Sequence, residues 1–263
     1  MAQAGRLSRA SAPGLAASPV TLLRIAIVAA VLAGWQALAL SGLLFRDVVP
    51  SLTAIAGALG DILIEPGFYR NLGVTALEIV VALVIGGLTG LVVGIVLGAN
   101  RFLGRAFEPY LYYLGPTPKI IFFPIMIMWF GVGPGSKVAM GVISCFFPIA
   151  LSAAAGMRRI DPVLIRVGKS FRAGIWQMAT KIYLPAMRAP IVNGVRLGLG
   201  VAVIGTLLAE TKLSNQGMGF LIINSYSTFN MPRMYALLIV LFVIAIGANA
   251  LVGRLGERQA SFA

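Results

Sequence analysis

The sequence contains no histidine, a single cysteine and few acidic residues. Without histidine it lacks the most common metal-binding side chain and the usual proton switch near neutral pH. Because Cys145 is the only cysteine, an intrachain disulfide is impossible. Eight Asp and Glu residues stand against 21 Lys and Arg in 263 residues, and charged residues make up only 11% of the chain. These shortages exclude a disulfide-stabilised scaffold and a histidine-based catalytic or metal site.

Apolar residues take the place of the missing charges. Hydrophobic residues make up 59% of the chain, and the mean hydropathy is +0.94. A soluble domain of this length carries far more charge, so the composition indicates an all-α polytopic membrane protein. Since each span takes roughly 20 residues plus a loop, the length allows about six spans.

Six apolar stretches are long enough to cross a membrane. The predicted spans are Leu22–Leu43, Val74–Leu97, a proline-rich third span ending at Ile120–Gly131, Ser136–Met157, Ala186–Leu208 and Met234–Leu255. The first stretch is too long for a signal peptide, so we expect an uncleaved span behind a short disordered tail at residues 1–21. Pro116, Pro118 and Pro124 interrupt the third span, either as an ordinary kink or as a broken helix beside a substrate path.

The basic residues follow the positive-inside rule. The loops expected in the cytoplasm carry Arg6, Arg9, Arg101, Arg105, Arg158, Arg159, Arg166, Lys169, Arg172, Lys181, Arg254 and Arg258. The opposite loops hold fewer bases, and acidic residues balance several of them. The pattern predicts that both termini are cytoplasmic, and it accounts for the net charge of +13 without nucleic-acid binding.

The largest cytoplasmic loop, at residues 158–185, contains an amphipathic helix pattern. Asp161 followed by Pro162 is typical of an N-cap and a first helical residue. The apolar face comprises Val163, Leu164, Val167 and Phe171. A second helix is expected after Gly174, with a corner at Leu184-Pro185 before the fifth span. The pattern fits either a helix lying near lipid headgroups or a docking helix for a cytoplasmic partner.

Four stretches match one known family in order and spacing. They read WFGVGPGSK (129–137), FFPIALSAAAGMRRIDPVLI (146–165), NGVRLGLG (193–200) and LLAETKLSNQGMGFLI (207–222). By these motifs the chain resembles permease subunits of bacterial ABC importers, in the nitrate, sulfonate, taurine and bicarbonate branch. The similarity covers about residues 49–258, nearly the whole chain.

The resemblance implies an architecture and a set of partners. The fold would be a type I importer bundle in the inner membrane, with the permease core at residues 49–258 behind a first span and outer loop at residues 22–48, and with a C-terminal tail at residues 259–263. Two copies would form the path, a cytoplasmic ATPase dimer would bind ATP, and an extracytoplasmic binding protein would deliver a small anion such as a sulfonate, taurine or nitrate. The chain itself would be neither an enzyme nor a cofactor protein.

The resemblance also places the ATPase-coupling helix in the largest cytoplasmic loop. Its residues would be Asp161, Leu164, Arg166, Val167, Gly168, Phe171, Arg172 and Gly174, with Leu184 and Pro185 at the following corner. This loop departs from the family's Glu-Ala-Ala and Gly signature, whose positions fall on Arg166 to Gly168 and on Arg172. Glu78 likewise stands where the family often has Arg. Either the partner's groove carries matching acid, or this permease has drifted from the usual contact.

Other candidate residues lie within the spans. Gly86, Gly90, Gly94 and Gly98 fall on one helix face, which serves either close packing or a surface that shifts between transport states. A charged side chain inside a span is energetically costly, so it usually has a partner or faces water. Arg196 and Glu210, about 21 Å apart along a helix, are therefore candidates for the pathway or gate, although Arg196 could also reach the cytoplasmic interface.

Two further functions compete with an ABC permease. A self-contained carrier or channel would need an ion or proton relay, for which the spans offer almost no acid and no histidine. A membrane enzyme would need a nucleophile or metal cluster, and the sequence shows no such constellation. The short match VGKS at residues 167–170 lacks the preceding glycine of an ATP-binding loop.

Overall fold

The computed structural model describes residues 19–43 and 48–260, and this part of the chain is helical without a β-strand. The predicted all-α class is confirmed. The described residues divide into two compact units between Ala54 and Ile55. Most of both predicted tails, at residues 1–18 and 261–263, lies outside the described residues.

The helices follow one another with short connections. In chain order they are α1 (Pro19–Leu40), α2 (Leu52–Ile64), α3 (Pro66–Ala99), α4 (Arg101–Leu114), α5 (Phe123–Phe130), α6 (Pro134–Arg158), α7 (Pro162–Ser170), α8 (Ile175–Met178), α9 (Leu184–Ala186), α10 (Arg188–Lys212), α11 (Met218–Ser227) and α12 (Met231–Ala260). Among the described residues, α1, α3, α6, α10 and α12 are long and apolar enough to cross a membrane. Each overlaps one of the predicted spans.

The proline-rich third span is broken rather than continuous. It consists of α4 and, after one 3-10 turn at Lys119–Phe122, α5, with an angle of 93° between the two parts. Pro116 and Pro118 lie in the break, where they lack the N–H groups that would continue α4. The Lys119 ammonium donates to the carbonyl oxygens of Gly115 and Thr117, which lie in the break.

Two shorter helices, α2 and α11, were not predicted from the sequence. At 13 and 10 residues they are too short to span a bilayer. Their apolar faces pack in one cluster with Phe68 of α3 and Leu237 of α12. The chain enters α11 through Gly217, whose φ of 103° is accessible to glycine at little cost.

The glycine face of α3 lies against α6 within one subunit. A Cβ added at any of its four glycines would lie under 3 Å from an atom of α6. Such a Cβ would be 2.4 Å from Cys145 Sγ at position 86, 2.8 Å from the Phe146 carbonyl oxygen at position 90, 2.3 Å from the Ala150 carbonyl oxygen at position 94 and 2.6 Å from the Ala154 carbonyl oxygen at position 98. Only glycine allows the two helix backbones to approach this closely. We call this contact the glycine seam.

Candidate functional sites in the α6–α10 loop and the bundle

The loop helix α7 begins with a defined cap. The Asp161 carboxylate accepts a hydrogen bond from the backbone N–H of Val163 at 2.8 Å, and Pro162 occupies the first turn. This arrangement satisfies one of the N–H groups that a helix start leaves unpaired, and Pro at that position removes another. The sequence of the loop therefore fixes where its helix starts.

The end of α7 has an equally defined geometry. The Arg172 N–H donates to the Lys169 carbonyl at 2.9 Å, and the Ala173 N–H donates to the Gly168 carbonyl at 3.0 Å. This pair of bonds is the Schellman motif, which requires a left-handed residue after the helix. That residue is Arg172, with a φ of 51°. It is the position at which the family resemblance predicts glycine.

One side of α7 packs on the segment that leads to α10. Gly168 is buried, and a Cβ there would lie 2.5 Å from Ile182 Cδ1 and from Met178 Sδ. The other side is open. Its apolar residues, together with the first residues of α8, form what we call the loop apolar surface: Val163, Leu164, Val167, Phe171, Ile175 and Trp176. Phe171 and Trp176 are 82% and 80% exposed, and Arg166 and Arg172 are exposed beside them.

The predicted corner at Leu184-Pro185 is displaced. The chain stays helical through α8, a π-helical turn at Ala179–Tyr183 and α9, so Pro185 lies in the first turn of a helical segment, where proline is tolerated. The interruption is at Met187, two residues later, with φ −98° and ψ 8°. Pro190 explains it, because its missing N–H would otherwise bond the Ala186 carbonyl.

An ion pair that sequence reasoning missed joins α6 to α4 at the start of the loop. Arg158 Nη1 lies 2.6 Å from Glu108 Oε2, and the Glu108 side chain is only 9% exposed. An acidic residue in an apolar stretch is a signal for such a pair, since an isolated buried charge is costly. The contact fixes one end of the α6–α10 loop to the broken span.

Arg196 and Glu210 lie in different surroundings and do not meet. Arg196 is exposed on α10, and its Nε donates to Asn249 Oδ1 of α12 at 3.4 Å. Glu210 is fully buried at the other end of α10. This burial places its carboxylate away from any docking surface, and a role of either residue in the pathway or gate stays a prediction.

Glu210 belongs to a buried polar cluster with Thr75 and Glu78 of α3 and Lys137 of α6. All four residues are at most 4% exposed. Glu210 accepts hydrogen bonds from the Thr75 hydroxyl at 2.6 Å and from the Gly219 N–H at 2.6 Å. The Lys137 ammonium donates to the carbonyl oxygens of Val132 and Gly133. A charged residue inside a span predicts that it has a polar partner, but the partners of Glu210 come from distant parts of the sequence.

Comparisons with known proteins agree with this architecture. A family described as "Binding-protein-dependent transport system inner membrane component" matches residues 86–261. The taurine transport system permease protein TauC of Escherichia coli is 29% identical over 214 residues, 80% of this chain and 77% of TauC. The putative aliphatic sulfonates transport permease protein SsuC of Bacillus subtilis is 26% identical over 231 residues, 88% of this chain and 83% of SsuC.

A solved structure shows the same fold. The inward-facing MetNI methionine ABC transporter superimposes with a TM-score of 0.62 at 20% identity, covering 75% of this chain and 96% of the matched chain. The family consists of transport components of the membrane and not of enzymes. With two thirds of its residues matched by the family, the chain belongs to the inner membrane components of binding-protein-dependent transport systems.

Proposed function

We propose that this chain is the permease subunit of an ABC importer for a small anionic solute, working as a homodimer. A cytoplasmic ATPase dimer would bind and hydrolyse ATP, and an extracytoplasmic binding protein would deliver the solute. The family membership supports the transport role, and the names of TauC and SsuC support a taurine- or sulfonate-like cargo. The observation that supports an ATPase partner is the loop apolar surface.

The loop apolar surface has the composition of a docking site. A cytoplasmic loop that leaves Phe171, Ile175 and Trp176 in water is unfavourable unless a partner covers them. Burying Phe171 would stabilise the complex by roughly 1.5–3 kcal/mol, whereas each exposed rim charge, such as Arg166, contributes about 0–1 kcal/mol. Docking therefore depends on the apolar residues, and the Arg residues adjust the choice of partner.

The loop is built to transmit force to the spans. From the docking face, α7 contacts Met178 and Ile182 through Gly168, and the helical segment continues to Met187 at the start of α10. Met187 is buried, with its N–H bonded to the Tyr183 carbonyl at 2.9 Å. Closure of two ATPases against α7 would thus displace α10 directly, without a flexible linker between them.

Alanine replacement of Phe171 tests the docking role. The permease would be co-purified with its ATPase, placed in nanodiscs, and assayed for ATP hydrolysis stimulated by the loaded binding protein. Phe171→Ala should weaken ATPase association more than Arg166→Ala does. Phe102→Ala is a matched control, because Phe102 is 78% exposed on α4 and lies outside the loop apolar surface.

The outcomes separate the possible roles of α7. Loss of association in Phe171→Ala with normal association in Phe102→Ala supports the proposal. Wild-type association and ATP hydrolysis in Phe171→Ala would mean that α7 is only a helix at the membrane surface. Transport that continues without any ATPase would instead support a self-contained carrier.

A further inference from the structure

The buried polar cluster contains an odd number of charges. Glu78 of α3, Lys137 of α6 and Glu210 of α10 are 4%, 1% and 0% exposed. With both carboxyl groups ionised and the amine protonated, the three would carry one net negative charge. A buried charge without compensation is strongly unfavourable, so the cluster needs one more positive charge.

The buried polar cluster is closed on one side by close packing of the same helices. One helical turn further into the bundle, the same three helices present Ala82, Gly141 and Thr206. A Cβ on Gly141 would lie 2.6 Å from both Ala82 Cβ and Thr206 Oγ1. This layer contains no space for even a methyl group and closes the cluster on that side.

The two carboxyl groups differ in their hydrogen bonds. Both oxygens of Glu210 accept bonds, one from the Thr75 hydroxyl and one from the Gly219 N–H, each at 2.6 Å. Donors placed in this way stabilise a negative charge. Glu78 Oε2, in contrast, is buried without a hydrogen-bond partner among the described residues. The Glu78 carboxyl group lies within hydrogen-bonding reach of Glu210.

A hydrogen bond between two carboxyl groups requires a proton, because ionised carboxylates only accept. We propose that Glu78 is a proton-binding site of this protein. It holds the proton as a neutral carboxylic acid and donates its O–H to ionised Glu210, whose charge Lys137 balances. The cluster is then neutral without any further ion. A sodium ion is a poorer fit, because the Glu210 oxygens are already occupied by N–H and O–H donors.

The elements packed on α3 contribute no other charge at this point. From α6 the facing group is Lys137, from α10 it is Glu210, and the residues that start α11 contribute backbone N–H groups. Contact with α4 occurs at the far end of α3, where Gly104 lies against Leu97. Loss of the proton would set two carboxylates against each other between α3 and α10, and would loosen the same site that holds Gly219.

Infrared spectroscopy detects the proton directly. In the purified permease–ATPase complex made with isotope-labelled glutamate, a carboxylic-acid C=O band should be present at neutral pH. It should be missing in Glu78→Gln and retained in Glu65→Gln, whose carboxylate pairs with Arg233 in a half-exposed ion pair. Absence of the band from the wild-type complex at neutral pH would overturn the proposal, whether or not any variant folds.

Thermal unfolding supplies a second readout. Glu78→Gln is a neutral hydrogen-bond donor at every pH, whereas the unfolded wild-type chain has Glu78 ionised at neutral pH and must bind a proton to fold. The two proteins should therefore have similar melting temperatures at acidic pH. On raising the pH, the wild type should lose stability earlier than Glu78→Gln. Identical pH profiles would contradict the proposal. A wild-type melting temperature that falls when choline replaces sodium would identify a bound sodium ion instead of a proton.

Discussion

Replacing Arg172 by glycine should stabilise the end of α7. A residue other than glycine in the left-handed region is disfavoured by roughly 1–2 kcal/mol, and Arg172 adopts a φ of 51°. The greater flexibility of glycine in the unfolded chain reduces this stabilisation by about 0.5–1 kcal/mol. The net stabilisation of the Schellman motif is therefore about 0.5–1 kcal/mol.

Hydrogen–deuterium exchange of the loop measures this effect locally. The reporting amides are those of residues 172 and 173, whose N–H groups bond the carbonyls of Lys169 and Gly168. A gain of 0.5–1 kcal/mol should slow their exchange by about 2- to 5-fold, since local opening governs exchange. Arg172→Ala is the matched control, because it removes the same guanidinium group but keeps a Cβ in the left-handed conformation.

The two variants separate conformation from charge. Slower exchange in Arg172→Gly than in Arg172→Ala is the expected result, and equal exchange in both would refute the reasoning. A change in ATPase association shared by both variants would report the lost guanidinium. ATPase association that is weaker in Arg172→Ala but normal in Arg172→Gly would show that the conformation of the helix end limits docking.

Two further predictions concern packing and topology. Gly90→Leu should destabilise the bundle by at least about 1–3 kcal/mol, because its side chain would meet the Phe146 carbonyl, while Gly73→Leu on open α3 surface should be tolerated in thermal unfolding. Reporter fusions at Gln216 and Lys169 should report the outer and the cytoplasmic side respectively, and a cytoplasmic signal at Gln216 would exclude the six-span topology.

Hydropathy was sufficient to predict the long spans from the sequence, but not the short or broken helices. A run such as that of α6 is apolar over more than a bilayer thickness, so its length alone identifies it. In contrast, α2 and α11 have too few residues to produce such a signal, and they are helical because they pack on α3 and α12. Where the third span breaks depends on how the chain satisfies the carbonyls on either side of Pro116, which involves the side chain of Lys119.

The polar contacts were only half predictable. That Glu210 needs a partner follows from its place in an apolar span. That the partners include Thr75, 135 positions away, depends on how α3 and α10 pack, which a single sequence does not contain. Arg172 illustrates the same limit, because its side-chain type gives no sign of a left-handed backbone.

The glycine seam restricts how the bundle can rearrange. At these four positions α3 presents only glycine, so it has no side chain there whose rotamers could change to accommodate sliding along α6. We therefore expect the two helices to move together as one unit. Any alternation between two shapes of the protein must take place at surfaces that carry flexible side chains, and its amplitude is set by how far this pair can rotate as a unit.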